Sequence, residues 1–93
     1  MKPAQTMDLQ SCPRVARLFR LQWEPAQESW VLLYPEGMVK LNDSAGEIMK
    51  RLDGTTSVAT LIAQLEATFG TKNLAQDVLA FLTLAQGQGW VNA

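Results

Sequence analysis

The sequence predicts an α+β domain of winged-helix-like type: a three-stranded antiparallel meander followed by three helices. Three observations lead there. Residues 18–41 hold three short apolar runs separated by proline-containing breaks, the first with period-two alternation. Residues 45–85 hold three apolar stripes at helical spacing, each preceded by residues that cap helices. The chain has 93 residues, a length that suits one domain around one core.

Residues 1–16 are mixed in character and lack periodicity, with Pro3 and Pro13 as punctuation. They are expected to form a flexible N-terminal arm, which leaves residues 17–93 as the single folded domain. In the first strand Phe19, Leu21 and Trp23 alternate with Arg20, Gln22 and Glu24, the pattern of a half-buried strand. Pro25-Ala26-Gln27-Glu28 breaks it. Trp30-Val31-Leu32-Leu33-Tyr34 is apolar on both faces, as a central strand is. Pro35-Glu36-Gly37 supplies a turn, with proline presetting φ and glycine free to take a positive φ. Met38-Val39-Lys40-Leu41 follows as the third strand, at the edge of the meander, with Val39 and Leu41 on one face.

The first helix starts either at the cap Asn42 or at a capping box of Ser44 and Glu47. It runs through Ala45, Ile48, Met49 and Leu52 and stops at Asp53-Gly54, where Gly54 suits the left-handed C′ position. Gly46 inside it costs about 1 kcal/mol relative to alanine, for which close packing on the sheet is one reason. Ser57 opens the second helix, whose stripe is Val58, Leu61, Ile62, Leu65 and Phe69, and Gly70 ends it. Asn73 and Gln76 match a further capping box before the stripe Leu74, Val78, Phe81, Leu82 and Ala85. Trp90-Val91 then packs back on the domain.

Composition excludes several kinds of function. The 47% of hydrophobic residues supports a core, and a net charge of −1 gives no excess for nucleic acid or an anionic membrane. Cys12 is the sole cysteine, so no intrachain disulfide forms, which suits a reducing compartment. No stretch is apolar enough to span a membrane, and Met1 to Asp8 contain no apolar signal region, so a cytoplasmic location is expected. There is no histidine, and nothing in the sequence identifies a base for Cys12. Metal-ligand spacings and phosphate-binding glycine loops are absent. Asp43 and Glu47 are four apart, but in a first helical turn they serve the helix dipole. The chain is therefore expected to be no enzyme, with no cofactor and no metal.

A winged-helix DNA-binding regulator is the alternative function. Against it, residues 73–93 contain no Lys or Arg, and Asp77 in the third helix repels phosphate. Arg14, Arg17 and Arg20 form a basic cluster that reads as a solvated face or as a dock for an acidic partner. The edge strand Met38–Leu41 offers unpaired backbone groups to an extended peptide, although Lys40 and the short length equally protect such an edge. With the third helix beside it, Leu74, Asp77, Val78 and Phe81 would line an adjoining groove, while part of that stripe must be core.

Residues Phe19-Arg20-Leu21-Gln22-Trp23-Glu24 and Leu32-Leu33-Tyr34-Pro35-Glu36-Gly37-Met38-Val39-Lys40-Leu41-Asn42-Asp43-Ser44-Ala45 carry something more specific. With Glu47-Ile48 and Asp53-Gly54, they resemble the pyrroloquinoline quinone biosynthesis protein D family. The likeness covers residues 13–91 and weakens through the second and third helices. It implies a peptide chaperone that binds the ribosomally made precursor peptide and presents it to a radical S-adenosylmethionine enzyme. It also implies a precursor-peptide recognition domain in which the peptide adds as a strand to the third strand and lies against the third helix. Carried over, the binding strand is Met38, Val39, Lys40 and Leu41, running into Asn42, and the groove wall comes from Leu74, Asp77, Val78 and Phe81. Arg14, Arg17 and Arg20 are the expected docking side for the enzyme. With an exposed edge, the chain is expected as a monomer or a weak homodimer.

Overall fold

The meander is formed by β2 (Arg20–Glu24), β3 (Ser29–Tyr34) and β4 (Gly37–Lys40), in that order and antiparallel, in a computed structural model that describes residues 7–93. A short strand β1 (Arg14–Val15) precedes it. After it come α1 (Asp43–Met49), α2 (Val58–Phe69), α3 (Ala75–Gly87) and a second short strand, β5 (Val91–Asn92). Leu21, Leu32 and Val39 stand opposite one another across the sheet, and Trp23 stands opposite Trp30. Because cross-strand partners share a face, these residues define the inner face. Leu32 on it is fully buried with Leu41, Met49, Leu61, Leu82 and Val91 in a single core. Two aromatic pairs extend that face, Trp23 with Trp30 at 5.6 Å and Phe19 with Tyr34 at 5.3 Å.

Gly46 explains how α1 sits on the sheet. A Cβ there would lie 2.7 Å from Cδ1 of Trp30, so only glycine lets the helix approach the indole. Asn42 caps the helix: its Oδ1 accepts from the Ala45 N–H at 2.8 Å. The Ser44–Glu47 box does not form, since the Glu47 carboxylate is taken by Lys50 and Arg51. Gly54 is not the C′ residue of α1. It lies beyond the C-cap Lys50 at φ +78°, in a turn where Asp53 Oδ1 accepts from the N–H groups of Thr55 and Thr56. Ser57 caps α2, and Gly70 closes it in the left-handed conformation. The Asn73–Gln76 box is likewise absent. Asn73 has φ +64°, which is not the extended backbone of a side-chain cap, and the Leu74 N–H donates instead to Glu66 Oε2 at 3.0 Å.

The flexible arm expected over residues 1–16 needs correction where it can be seen; residues 1–6 lie outside the described residues. Met7 and Pro13 are buried. The carbonyls of Leu9 and Ser11 accept from the Ala59 and Val58 N–H groups at 3.0 and 2.9 Å, satisfying the otherwise unpaired first turn of α2. Pro13 accepts from Gly54 at 3.1 Å, and β1 then pairs with β5, Val15 opposite Val91. Residues 7–16 are thus an integral layer of the domain. The domain does not begin at residue 17, because backbone carbonyls and a two-residue strand hold what sequence periodicity reads as loose.

Candidate functional site

The backbone of β4 decides which of its residues are available to a partner. The Leu41 N–H donates to the Trp30 carbonyl at 2.9 Å, one step beyond the pair Val31–Lys40. In an antiparallel ladder hydrogen-bonded pairs alternate with unbonded ones. Val39 therefore bonds inward to Leu32, while the backbone groups of Met38 and Lys40 point away from β3. Among the described residues β4 pairs only with β3, so those outward groups form an open edge.

The side chains divide in the same way. Met38, 47% exposed, and Lys40 lie on the outer face of the sheet, opposite Leu33 and Val31. Val39 is half-buried and Leu41 is buried in the core. Of the five residues expected in the binding strand, Met38 and Lys40 present both side chain and backbone. Val39 and Leu41 face inward, so any part they play is to shape the edge. Asn42 is exposed, and its side chain is engaged as the α1 cap.

At the C-terminal end of β4 the chain enters a cleft of about 280 Å³. Its walls are helical: Asp43, Ser44, Glu47 and Ile48 from α1, Leu65 and Phe69 from α2, then Thr71, and Leu74, Asp77 and Val78 around the start of α3. Ile48, Leu65 and Val78 are buried and make an apolar floor, while Phe69 is 52% exposed at the rim. Leu74, Asp77 and Val78 are thus brought together as expected, but no β4 residue lines the cleft, which lies beyond the strand rather than alongside it. Phe81 is not part of it; it is half-buried against the core.

Three carboxylates border the cleft, in two different states. Glu47 receives Arg51 at 2.7 Å and Lys50 at 3.0 Å. The Arg51 hydrogen bond, followed by that of Lys50, holds its carboxyl below the usual value. Arg51 also donates to the Glu47 carbonyl at 2.7 Å and lies 5.9 Å from the Phe69 ring centroid. Asp43 and Asp77 take part in no hydrogen bond or ion pair among the described residues. No Lys or Arg lines the cleft.

Sequence reasoning missed the contributions of α1 and α2. Asp43 and Glu47 read as helix-start residues, and Phe69 read as core. A visible signal was that Phe69 closes its stripe one residue before the terminating Gly70, where a helix face runs out of neighbours. The basic cluster is dispersed over three elements. Arg14 lies on β1 with its aliphatic stem against Gly54, Arg17 is in the turn after β1 beside a 73%-exposed Leu18, and Arg20 is on the outer face of β2. All three are exposed, and none forms an ion pair among the described residues. Among those residues, no helix is long and apolar enough to cross a membrane.

Comparison with known proteins adds to this geometry. Residues 29–91, more than half of the chain, match the family model described as coenzyme PQQ synthesis protein D (PqqD). A PqqA binding protein of Pseudomonas aeruginosa is 54% identical over 84 residues, covering 89% of this chain and 91% of that protein. PqqA binding proteins of Azotobacter vinelandii, 49% identical over the same shares, and of Acinetobacter baumannii, 43% identical over 95% of each chain, are also similar. In three dimensions the chain superposes with a TM-score of 0.81 on the solution structure of the PqqD truncation of Methylobacterium extorquens PqqCD, described as a stand-alone recognition element for ribosomally synthesized and post-translationally modified peptides. That match covers 96% of this chain and 97% of the other at 24% identity, a likeness of fold.

Proposed function

The chain belongs to the coenzyme PQQ synthesis protein D family, and from that premise we propose that it is a peptide chaperone of pyrroloquinoline quinone biosynthesis. It binds the ribosomal precursor peptide, PqqA, as an added strand on β4 and presents it to the radical S-adenosylmethionine enzyme of the pathway. The observation that carries this reading is the open β4 edge, whose outward backbone groups at Met38 and Lys40 lead directly into the cleft.

The mechanism is one of holding. Main-chain pairing on the edge gives affinity and register, and side-chain contacts give selectivity. Ordering a free, disordered peptide costs entropy, which the ladder and the apolar contacts must offset. Once bound, the peptide is concentrated at the enzyme by tethering through this chain. The chain itself carries out no covalent step, and the exposed Arg14, Arg17 and Arg20 are the side offered to the enzyme. Cofactor and metal have no part in this binding reaction, which takes place in the cytoplasm.

The reading is tested by titrating isotope-labelled protein with the precursor peptide and following backbone NMR shifts. Saturable shifts centred on residues 38–43 and 74–78 are expected. A folded protein whose spectrum is unmoved by excess peptide would refute it.

A further inference from the structure

The cleft at the end of β4 combines three features that fold stability alone does not require. Its floor is apolar, formed by Ile48, Leu65 and Val78. Its rim keeps Phe69 52% exposed. Two carboxylates from separate helices, Asp43 and Asp77, share it without a cation, while the third, Glu47, is neutralised by Lys50 and Arg51. A first-turn aspartate is favoured by the helix dipole wherever it points. That accounts for each residue singly, but not for both lining one cavity beside an exposed aromatic ring.

Size narrows the occupant. Cofactor and drug-sized sites run from about 300 to 1,000 Å³, whereas an apolar cavity of about 150 Å³ is enough for benzene. A cleft of about 280 Å³ therefore suits one large side chain and the stem of a neighbour. Continuity narrows it further. Asp43 follows Asn42 at the end of the β4 segment, so a peptide paired at Lys40 reaches the rim within a few residues at about 3.3 Å each.

We infer that this cleft is the selectivity pocket for the bound peptide: it takes one large apolar side chain, aromatic by preference, while a Lys or Arg nearby in the same peptide meets Asp43 and Asp77. This rests on the chaperone reading above and adds what the peptide must contain. The ring lies on Phe69 and the apolar floor. The cation supplies the charge that the cleft lacks, and its aliphatic stem covers the rim, as Lys and Arg stems do.

The test is calorimetric binding of the full chain to the PqqA precursor peptide and to two peptide sets. In one, each Lys or Arg is replaced in turn by Gln; in the other, each large apolar residue is replaced in turn by Ala. Wild-type binding should weaken with salt, and one cationic and one nearby apolar position should stand out. Removing both carboxylates, in Asp43→Asn with Asp77→Asn, should weaken low-salt binding by about three- to thirty-fold and flatten the salt dependence. The same double variant should no longer distinguish the sensitive Lys or Arg from Gln. Phe69→Ala should weaken binding while leaving the salt dependence intact. If wild type binds but no cationic position matters, or the folded double variant keeps both affinity and salt dependence, the pocket is wrongly assigned while the chaperone role stands. Failure of wild type to bind the precursor peptide at all would overturn both. The peptide-side arms require no protein variant, so they decide the matter even if the double variant fails to fold.

Discussion

A proline placed on β4 should have opposite consequences at adjacent residues. At Lys40 the N–H points away from β3, so Lys40→Pro breaks no ladder bond, and proline is tolerated on an edge with its N–H side outward. The preceding residue, Val39, is already in a strand, as a residue before proline prefers. At Val39 the N–H bonds inward, so Val39→Pro leaves the Leu32 carbonyl unpaired beside a fully buried side chain. An unsatisfied buried carbonyl costs about 1–3 kcal/mol. In a domain of this size that is a fall in Tm of roughly 4–24 °C, at 4–8 °C per kcal/mol. Lys40→Pro should instead melt within a few degrees of wild type and lose peptide affinity. The peptide carbonyl facing it would be left unpaired, a loss of about 1–3 kcal/mol, or roughly five- to 150-fold in Kd. Thermal melts followed by circular dichroism, paired with calorimetric titration of the precursor peptide, separate the two effects. A folded Lys40→Pro that binds with unchanged Kd would refute addition to this edge. A Val39→Pro as stable as wild type would refute the alternation that assigns the edge.

Three further predictions concern the scaffold. Gly46→Ala should lower stability in urea unfolding, because a Cβ 2.7 Å from Trp30 Cδ1 overpacks the interface at a cost of about 1–3 kcal/mol, against a helix-propensity gain of about 1 kcal/mol. The Thr55 and Thr56 N–H groups lower the Asp53 carboxyl from 3.8 to about 2. A depressed pKa adds stability that is complete above the unfolded value and is lost as pH falls through the folded one, so wild-type urea midpoints should fall between pH 4 and pH 2 by more than those of Asp53→Asn. Deleting residues 1–13 should destabilise the domain by about 3–7 kcal/mol, from the burial of Met7 and the hydrogen bonds accepted by Leu9, Ser11 and Pro13; chemical denaturation of the truncated chain measures it.

The elements whose signals are local were legible in the sequence. Period-two alternation placed β2, a doubly apolar run placed β3 at the centre, and the stripes and caps Asn42 and Ser57 placed α1 and α2. Gly46 could be read as a close approach, and the structure identifies Trp30 as what it approaches. The motif from Tyr34 to Asn42 pointed to the family that the comparisons then showed. Where two local signals competed, sequence reasoning chose less well. Asn73 and Gln76 look like a cap, but Asn73 is held at φ +64° and Glu66, from the preceding helix, takes the Leu74 N–H.

The sequence by itself determined the order of strands and helices, the inner face of the sheet, and the lack of cations on α3, because those follow from side-chain type and spacing along one segment. Only the tertiary structure decided that residues 7–16 belong to the domain, since they are held by backbone carbonyls and by β5, which lies at the other end of the chain. It also decided which β4 residues face outward, a matter of ladder phase that side-chain alternation does not report. The cleft belongs to the same class. Asp43, Phe69 and Asp77 lie on three different helices, and no spacing along the chain encodes that their packing leaves a space between them.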